Sequence, residues 1–185
     1  MNVIAVPSAP ANDPALQGKR TRLSSSPPPG WRYTGYSSLQ DLVDRLKDLL
    51  KNSDDCISTL EIDAHGSPTS CDWINDANAQ NFGEQLGLLN KFCKDCKVYL
   101  TGCNTGVSWP PPPLGTIYPM AKILAMSTNC TVYGTIGYTS GTHAEGTAHS
   151  TRSCIYNGHY YAPIPGCQTA AEERADRCYK PYTRY

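Results

Sequence analysis

Two short segments hold the chemistry of this chain: Asp63-Ala64-His65-Gly66, and Val98-Tyr99-Leu100-Thr101-Gly102-Cys103-Asn104-Thr105-Gly106, whose cysteine follows the histidine by 38 positions. Each is a hydrophobic strand pattern that stops at a reactive side chain beside a glycine. A cysteine attacks as the thiolate, so it needs a base or a positive field beside it, and a histidine titrating near neutrality is the usual supplier. The chemistry open to such a pair is acyl transfer: Cys103 attacks a carbonyl, His65 protonates the leaving amine, and water releases the acyl-enzyme. The amides of Gly66 and Cys103 are the candidate oxyanion donors, because a missing side chain lets substrate approach the backbone. This chemistry calls for no metal and no cofactor.

For the pair to meet, its two strands must be parallel neighbours, and the patterning predicts this. A strand at Trp31–Tyr36 leads into an amphipathic helix over 38–51 with Leu39, Leu42, Val43, Leu46, Leu49 and Leu50 on one face, and Ser37 and Gln40 have the spacing of a capping box. A strand over 57–64 delivers His65, a helix over 79–93 follows, and a strand over 97–101 delivers Cys103. After four prolines at 110–113, a helix over 117–126 and a strand over 131–136 extend the alternation. Such β-α-β-α-β order predicts a parallel sheet with helices on its faces, and ligands then bind beyond the carboxyl ends of the strands. Residues 137–151 read as a long Gly/Thr/Ser-rich loop, 153–161 as a hairpin around Asn157-Gly158, and 170–178 as a short closing helix.

Residues 1–30 are rich in Pro, Ser and Ala and read as a flexible leader, with Val3-Ile4-Ala5-Val6 able to add an edge strand; residues 31–185 then form one domain. Sixteen basic residues balance sixteen acidic ones, which leaves no electrostatic footprint for nucleic acid or an anionic membrane surface. No apolar run is long enough to span a bilayer, and the first 30 residues lack the pattern of a signal peptide. Nine cysteines are many for a reduced cytosolic enzyme of this length. If Cys103 is the reactive thiol, eight remain, either as up to four disulfides in an oxidising compartment reached without a Sec signal, as for an exported effector or toxin, or as retained thiols. Cys93-Lys94-Asp95-Cys96 has half-zinc-knuckle spacing but lacks a matched second pair, so disulfide roles are expected for these cysteines.

His-Gly after one hydrophobic strand and Gly-Cys after the next resembles the caspase-like cysteine peptidases. Within that clan the pattern is most similar to bacterial CHAT-like domains, where a strand, His-Gly-Ser-Pro, a helix and a strand ending in Gly-Cys-Asn follow in order. Here the matching residues are His65-Gly66-Ser67-Pro68 and Gly102-Cys103-Asn104, and the resemblance covers residues 31–142. It implies an α/β three-layer sandwich with a mainly parallel caspase-like sheet of about four to six strands and helices on both faces. It also implies a cysteine endopeptidase acting on a peptide or protein substrate, with His65 as general acid/base, Cys103 as nucleophile and Gly66 as an oxyanion contributor. Gly137, Tyr138, Thr139 and Ser140 occupy the place where the family builds part of its specificity pocket. The local caspase sequence around the nucleophile is absent, and the proline run after Cys103 departs from the family pattern.

Two other readings stand beside this one. A papain-like or cell-wall amidase would use Cys103 with a later histidine, His143, His149 or His159, but there the cysteine opens a helix, which the prolines at 110–113 leave little room for. A disulfide-stabilised binding module on the same fold would use tyrosines such as Tyr138, Tyr156, Tyr160 and Tyr161 as contact surface. Asp63 is expected to have a structural or solvent role rather than to orient His65. Glu145 could receive a basic side chain if its loop folds inward, and Lys19, Arg20 and Arg22 would be candidate self-cleavage positions for a basic preference.

Overall fold

Four consecutive apolar residues, Val3-Ile4-Ala5-Val6, are fully buried, because the strand that carries them lies inside the sheet with helices on both sides. A computed structural model describes residues 1–8, 10–51, 53–67, 69–103, 105–106, 120–135 and 138–147, with backbone alone at 138–139 and in the strand segments beyond 147. In chain order these form β1 (Asn2–Pro7), α1 (Pro14–Ser25), β2 (Trp31–Tyr36), α2 (Leu39–Leu50), β3 (Ile57–Asp63), β4 (Gly66–Ser67), β5 (Ser70–Cys71), β6 (Ile74–Asn75), α3 (Ala79–Leu88) and β7 (Phe92–Thr101). There follow α4 (Met120–Ser127), β8 (Thr131–Thr135), β9 (Tyr138–Ser140), β10 (His149–Thr151), β11 (Ile155–Tyr156), β12 (His159–Tyr160), β13 (Glu172–Glu173) and β14 (Tyr179–Tyr182).

The main sheet has the order β14-β8-β7-β3-β1-β2, parallel throughout except for β14, which runs antiparallel along β8. Helices α2, α3 and α4 bury Leu46, Phe82, Leu86 and Leu124 against Val3, Ala5, Leu60, Ile62, Val98 and Leu100 on one face. On the other face α1 sets Leu16 and Leu23 against Ile4 and Val6. The result is the three-layer α/β sandwich with a mainly parallel sheet that the alternation predicts. Among the described residues no helix is long and apolar enough to cross a membrane.

The first thirty residues are not a flexible leader. β1 pairs with β2 on one side and β3 on the other, so these residues are part of the folded sheet, and the apolar run is an inner strand rather than an edge. α1 starts where Asp13 caps Pro14, the side chain taking the amides of Ala15 and Leu16. Lys19, Arg20 and Arg22 are folded into this helix and engaged, Lys19 by Asp63, Arg20 by the carbonyls of Pro7, Pro10 and Ala11, and Arg22 by Glu145, so they are not extended cleavage segments.

Other boundaries also move. Ser38, not Ser37, caps α2, accepting from the Asp41 amide, while the Asp41 carboxylate accepts from the Ser37 amide and hydroxyl. α3 stops short of residue 93, with Asn90 in the left-handed region at φ 49° just past its end. β7 consequently starts at Phe92, and between Ile57 and Thr59 on β3 the partner strand advances from Phe92 to Lys97, a wide bulge. Disulfides Cys56–Cys93 and Cys96–Cys130 tie this bulge to β3 and to the entrance of β8. Cys93 and Cys96 are therefore disulfide partners of other residues rather than of each other or of zinc. Residues 137–151 are not one long loop, since β9 and β10 pair antiparallel, and β13, where a helix was expected, joins the far side of β10. The strands of the expected hairpin are present as β11 and β12.

Candidate active site

β3 and β7 are hydrogen-bonded parallel neighbours, and both run toward the end of the sheet where His65 and Cys103 lie. The ladder continues one step past β3, with the Ala64 amide donating to the Thr101 carbonyl at 3.3 Å. Beyond it the chain turns into the small antiparallel sheet β4-β5-β6, and the Asp72 amide holds the His65 carbonyl at 2.8 Å. The two loops then meet backbone to backbone: a Cβ on Gly66 would fall 2.6 Å from the Gly102 carbonyl carbon and 2.7 Å from the Cys103 nitrogen. Only glycine fits there, which gives the His-Gly and Gly-Cys pattern a steric reason.

The cysteine loop is pinned from below. The Gly102 carbonyl accepts from the hydroxyls of Thr105, at 3.2 Å, and Thr135, and both threonines are fully buried. The single Thr105 hydroxyl proton is shared between that carbonyl and the Leu100 carbonyl at 2.9 Å, and Thr105 Oγ1 receives the Thr135 amide at 3.0 Å, while the Gly106 amide reaches the Thr135 carbonyl at 2.9 Å. This network fixes the peptide that carries the Cys103 amide. Sequence reasoning missed both threonines, because a Thr two residues past the cysteine has no pattern that distinguishes it from loop composition. Cys103 is a partly exposed thiol, and Cys71, the other reduced cysteine among the described residues, is fully buried, which pushes its thiol far up.

His65 points its Nε2 at Asp13 Oδ2, 2.6 Å away, with the imidazole side chain 62% exposed and Asp13 12%. Asp13 was missed because its segment reads as a leader, although Asp followed by Pro is itself a helix-start signal. Desolvation acts upward on the Asp13 carboxyl, but the hydrogen bond from His65, the amides of Leu16 and Ala15 and the imidazole's charge outweigh it and hold the group below its ordinary value. Asp63, by contrast, pairs with Lys19 at 2.8 Å, its carboxylate buried. Burial pushes Asp63 up to about 6 in spite of Lys19, and its Oδ2 has no hydrogen-bond partner among the described residues.

The segment after β9 folds inward over the same face. Glu61, fully buried on β3, accepts from Thr101 Oγ1 and from the amides of His143 and Ala144, each at 2.7 Å. Burial, then the charge of Asp63, push Glu61 up to about 7 against these donors. Glu145 does receive a basic side chain, but an internal one, gripping Arg22 at 2.7 and 2.9 Å. His143 stacks on Tyr99 with ring centroids 3.7 Å apart, and Tyr99 stacks on Tyr133. Burial and Lys97 press the His143 imidazole below its ordinary value, and the ring stacks over Tyr99 of β7. Ser140 is exposed on β9; Asn104 and Gly137, and the side chains of Tyr138, Thr139, His149, Tyr156, His159, Tyr160 and Tyr161, lie outside the described residues. So do Cys154, Cys167 and Cys178.

Comparison of the chain with protein-family models, with curated proteins and with solved structures finds no match.

Proposed function

We propose that this chain is a cysteine endopeptidase of the caspase-like type, with Cys103 as nucleophile and His65 as general acid/base. One observation carries the reading: adjacent parallel strands β3 and β7 lead into the loops of His65 and Cys103, two positions past their ends, and the glycines beside them are in backbone contact. In the reaction the Cys103 sulfur forms a bond to the scissile carbonyl carbon, the C–N bond breaks, and the amine leaves with a proton from His65. Water, giving its proton to His65, then cleaves the thioester and restores the thiol. The Cys103 amide, set by the Thr105 and Thr135 hydroxyls on Gly102, and the Gly66 amide beside it are the donors offered to the oxyanion. Gly137, Tyr138, Thr139 and Ser140 are proposed to contact the substrate side chain. The two disulfides support an oxidising compartment as the place of action, as an exported effector would meet.

A binding module on the same fold is the second reading, favoured by one feature: the imidazole is well exposed and its hydrogen bond goes to Asp13. Incubation with a mixed peptide library, read by mass spectrometry, separates the two. The endopeptidase yields new termini at a consistent motif, lost in Cys103→Ala and in His65→Ala with folding intact. A library left uncut by wild-type protein whose thiol is reduced supports the binding module.

A further inference from the structure

We infer that Asp13, at the start of α1, is the positioning residue for His65, so that the segment before β2 completes the site formed by the β3 and β7 loops. The inference rests on the peptidase reading and adds a residue to it. A helix cap explains half of what Asp13 does: Oδ1 takes the amides of Ala15 at 3.0 Å and Leu16 at 3.4 Å. It does not explain Oδ2, which lies 2.6 Å from His65 Nε2, a partner 52 positions away in sequence. A carboxylate only accepts, so Nε2 is the nitrogen that carries the proton and Nδ1 keeps the lone pair that can exchange a proton with thiol and leaving amine. An imidazole 62% exposed would otherwise sample several rotamers, whereas Asp13 is 12% exposed and anchored through α1. That anchor is firm because Leu16 and Leu23 bury against Ile4 and Val6 of an inner strand. Two carboxylates lie near the imidazole, Asp13 from the α1 cap and Asp72 from the turn after β5.

Asn and Ser cap helices as well as Asp does, so Asp13→Asn and Asp13→Ser keep the cap while removing the charge. The rate of Cys103 alkylation by iodoacetamide is measured from pH 5 to 9 in these variants, in Asp13→Ala, in His65→Ala and in the wild type, alongside thermal unfolding. The expected result is that Asn and Ser variants unfold near the wild-type temperature yet lose the reactivity below pH 7 by about tenfold or more, with the pH profile displaced upward. Wild-type alkylation in both capped variants, with reactivity lost in His65→Ala, overturns the role of Asp13 and leaves the dyad standing. Wild-type alkylation in His65→Ala itself overturns the dyad, and Asp13 is then a helix cap alone.

Discussion

Gly66 and Gly102 touch backbone to backbone, with the Cβ position of Gly102 only 3.0 Å from the Gly66 Cα and that of Gly66 2.6 Å from the Gly102 carbonyl carbon. The contact holds the histidine and cysteine loops in one register, and because it is backbone against backbone neither side can yield by a rotamer change. Gly66→Ala is therefore expected to cost about 1–3 kcal/mol of stability and to separate the two loops. Urea unfolding and Cys103 alkylation check this together: both fall. An alanine variant with the wild-type midpoint and alkylation rate would mean that the loops do not depend on the contact.

Lys19 and Asp63 make an ion pair in which the carboxylate side chain is 1% exposed and the ammonium 21%. Removing the lysine leaves an uncompensated buried charge, so Lys19→Ala is expected to lose about 3 kcal/mol at pH 8. The loss shrinks at pH 5, where Asp63, already pushed up to about 6, takes a proton. Adding Asp63→Asn to Lys19→Ala restores much of the stability at pH 8, and a double-mutant cycle in urea measures it.

Glu61 sets a second pH dependence. Its folded-state value of about 7 lies above the ordinary 4.5, so in between the folded protein holds more protons than the unfolded chain. Stability from this group is complete below pH 4.5 and is lost as pH rises through 7, by an amount on the order of 3 kcal/mol. Urea midpoints at pH 5 and pH 7.5 check the direction, and Glu61→Gln flattens the difference. The glutamine variant is less stable overall at pH 5, since its amide group cannot accept from both the His143 and Ala144 amides as Glu61 does.

How much of this was legible in the sequence depends on where apolar residues alternate and where they do not. β2, β3 and α2 announce themselves by period, and the reactive ends of β3 and β7 by the glycine after His65 and the one before Cys103. β1 does not, because a doubly covered parallel strand is a continuous apolar run with no alternation, and the surrounding prolines and serines dilute it. α1 buries just Leu16 and Leu23, two turns apart, so its polar surface reads as leader. Asp13 was lost with it. The start of β7 was hidden by Lys94 and Asp95, exposed between two disulfide cysteines, and the β9–β10 pair by its Gly/Thr/Ser composition.

The disulfides close loops of 37 and 34 residues, each worth about 3–4 kcal/mol in the chain-entropy account. Non-reducing peptide mapping is expected to recover Cys56 linked to Cys93 and Cys96 linked to Cys130, and a thiol reductant to lower the unfolding temperature. A Cys93–Cys96 linkage would contradict the bulge geometry of β7.

The most direct test of the central claim is site-resolved thiol alkylation at pH 6, mapped by mass spectrometry in the wild-type protein and in His65→Ala. A nucleophile served by His65 predicts that Cys103 is modified rapidly, while Cys71 stays protected in the core, and that the modification slows at least about tenfold without the imidazole. A Cys103 that is already oxidised, or that alkylates at the same rate with and without His65, would contradict the peptidase account.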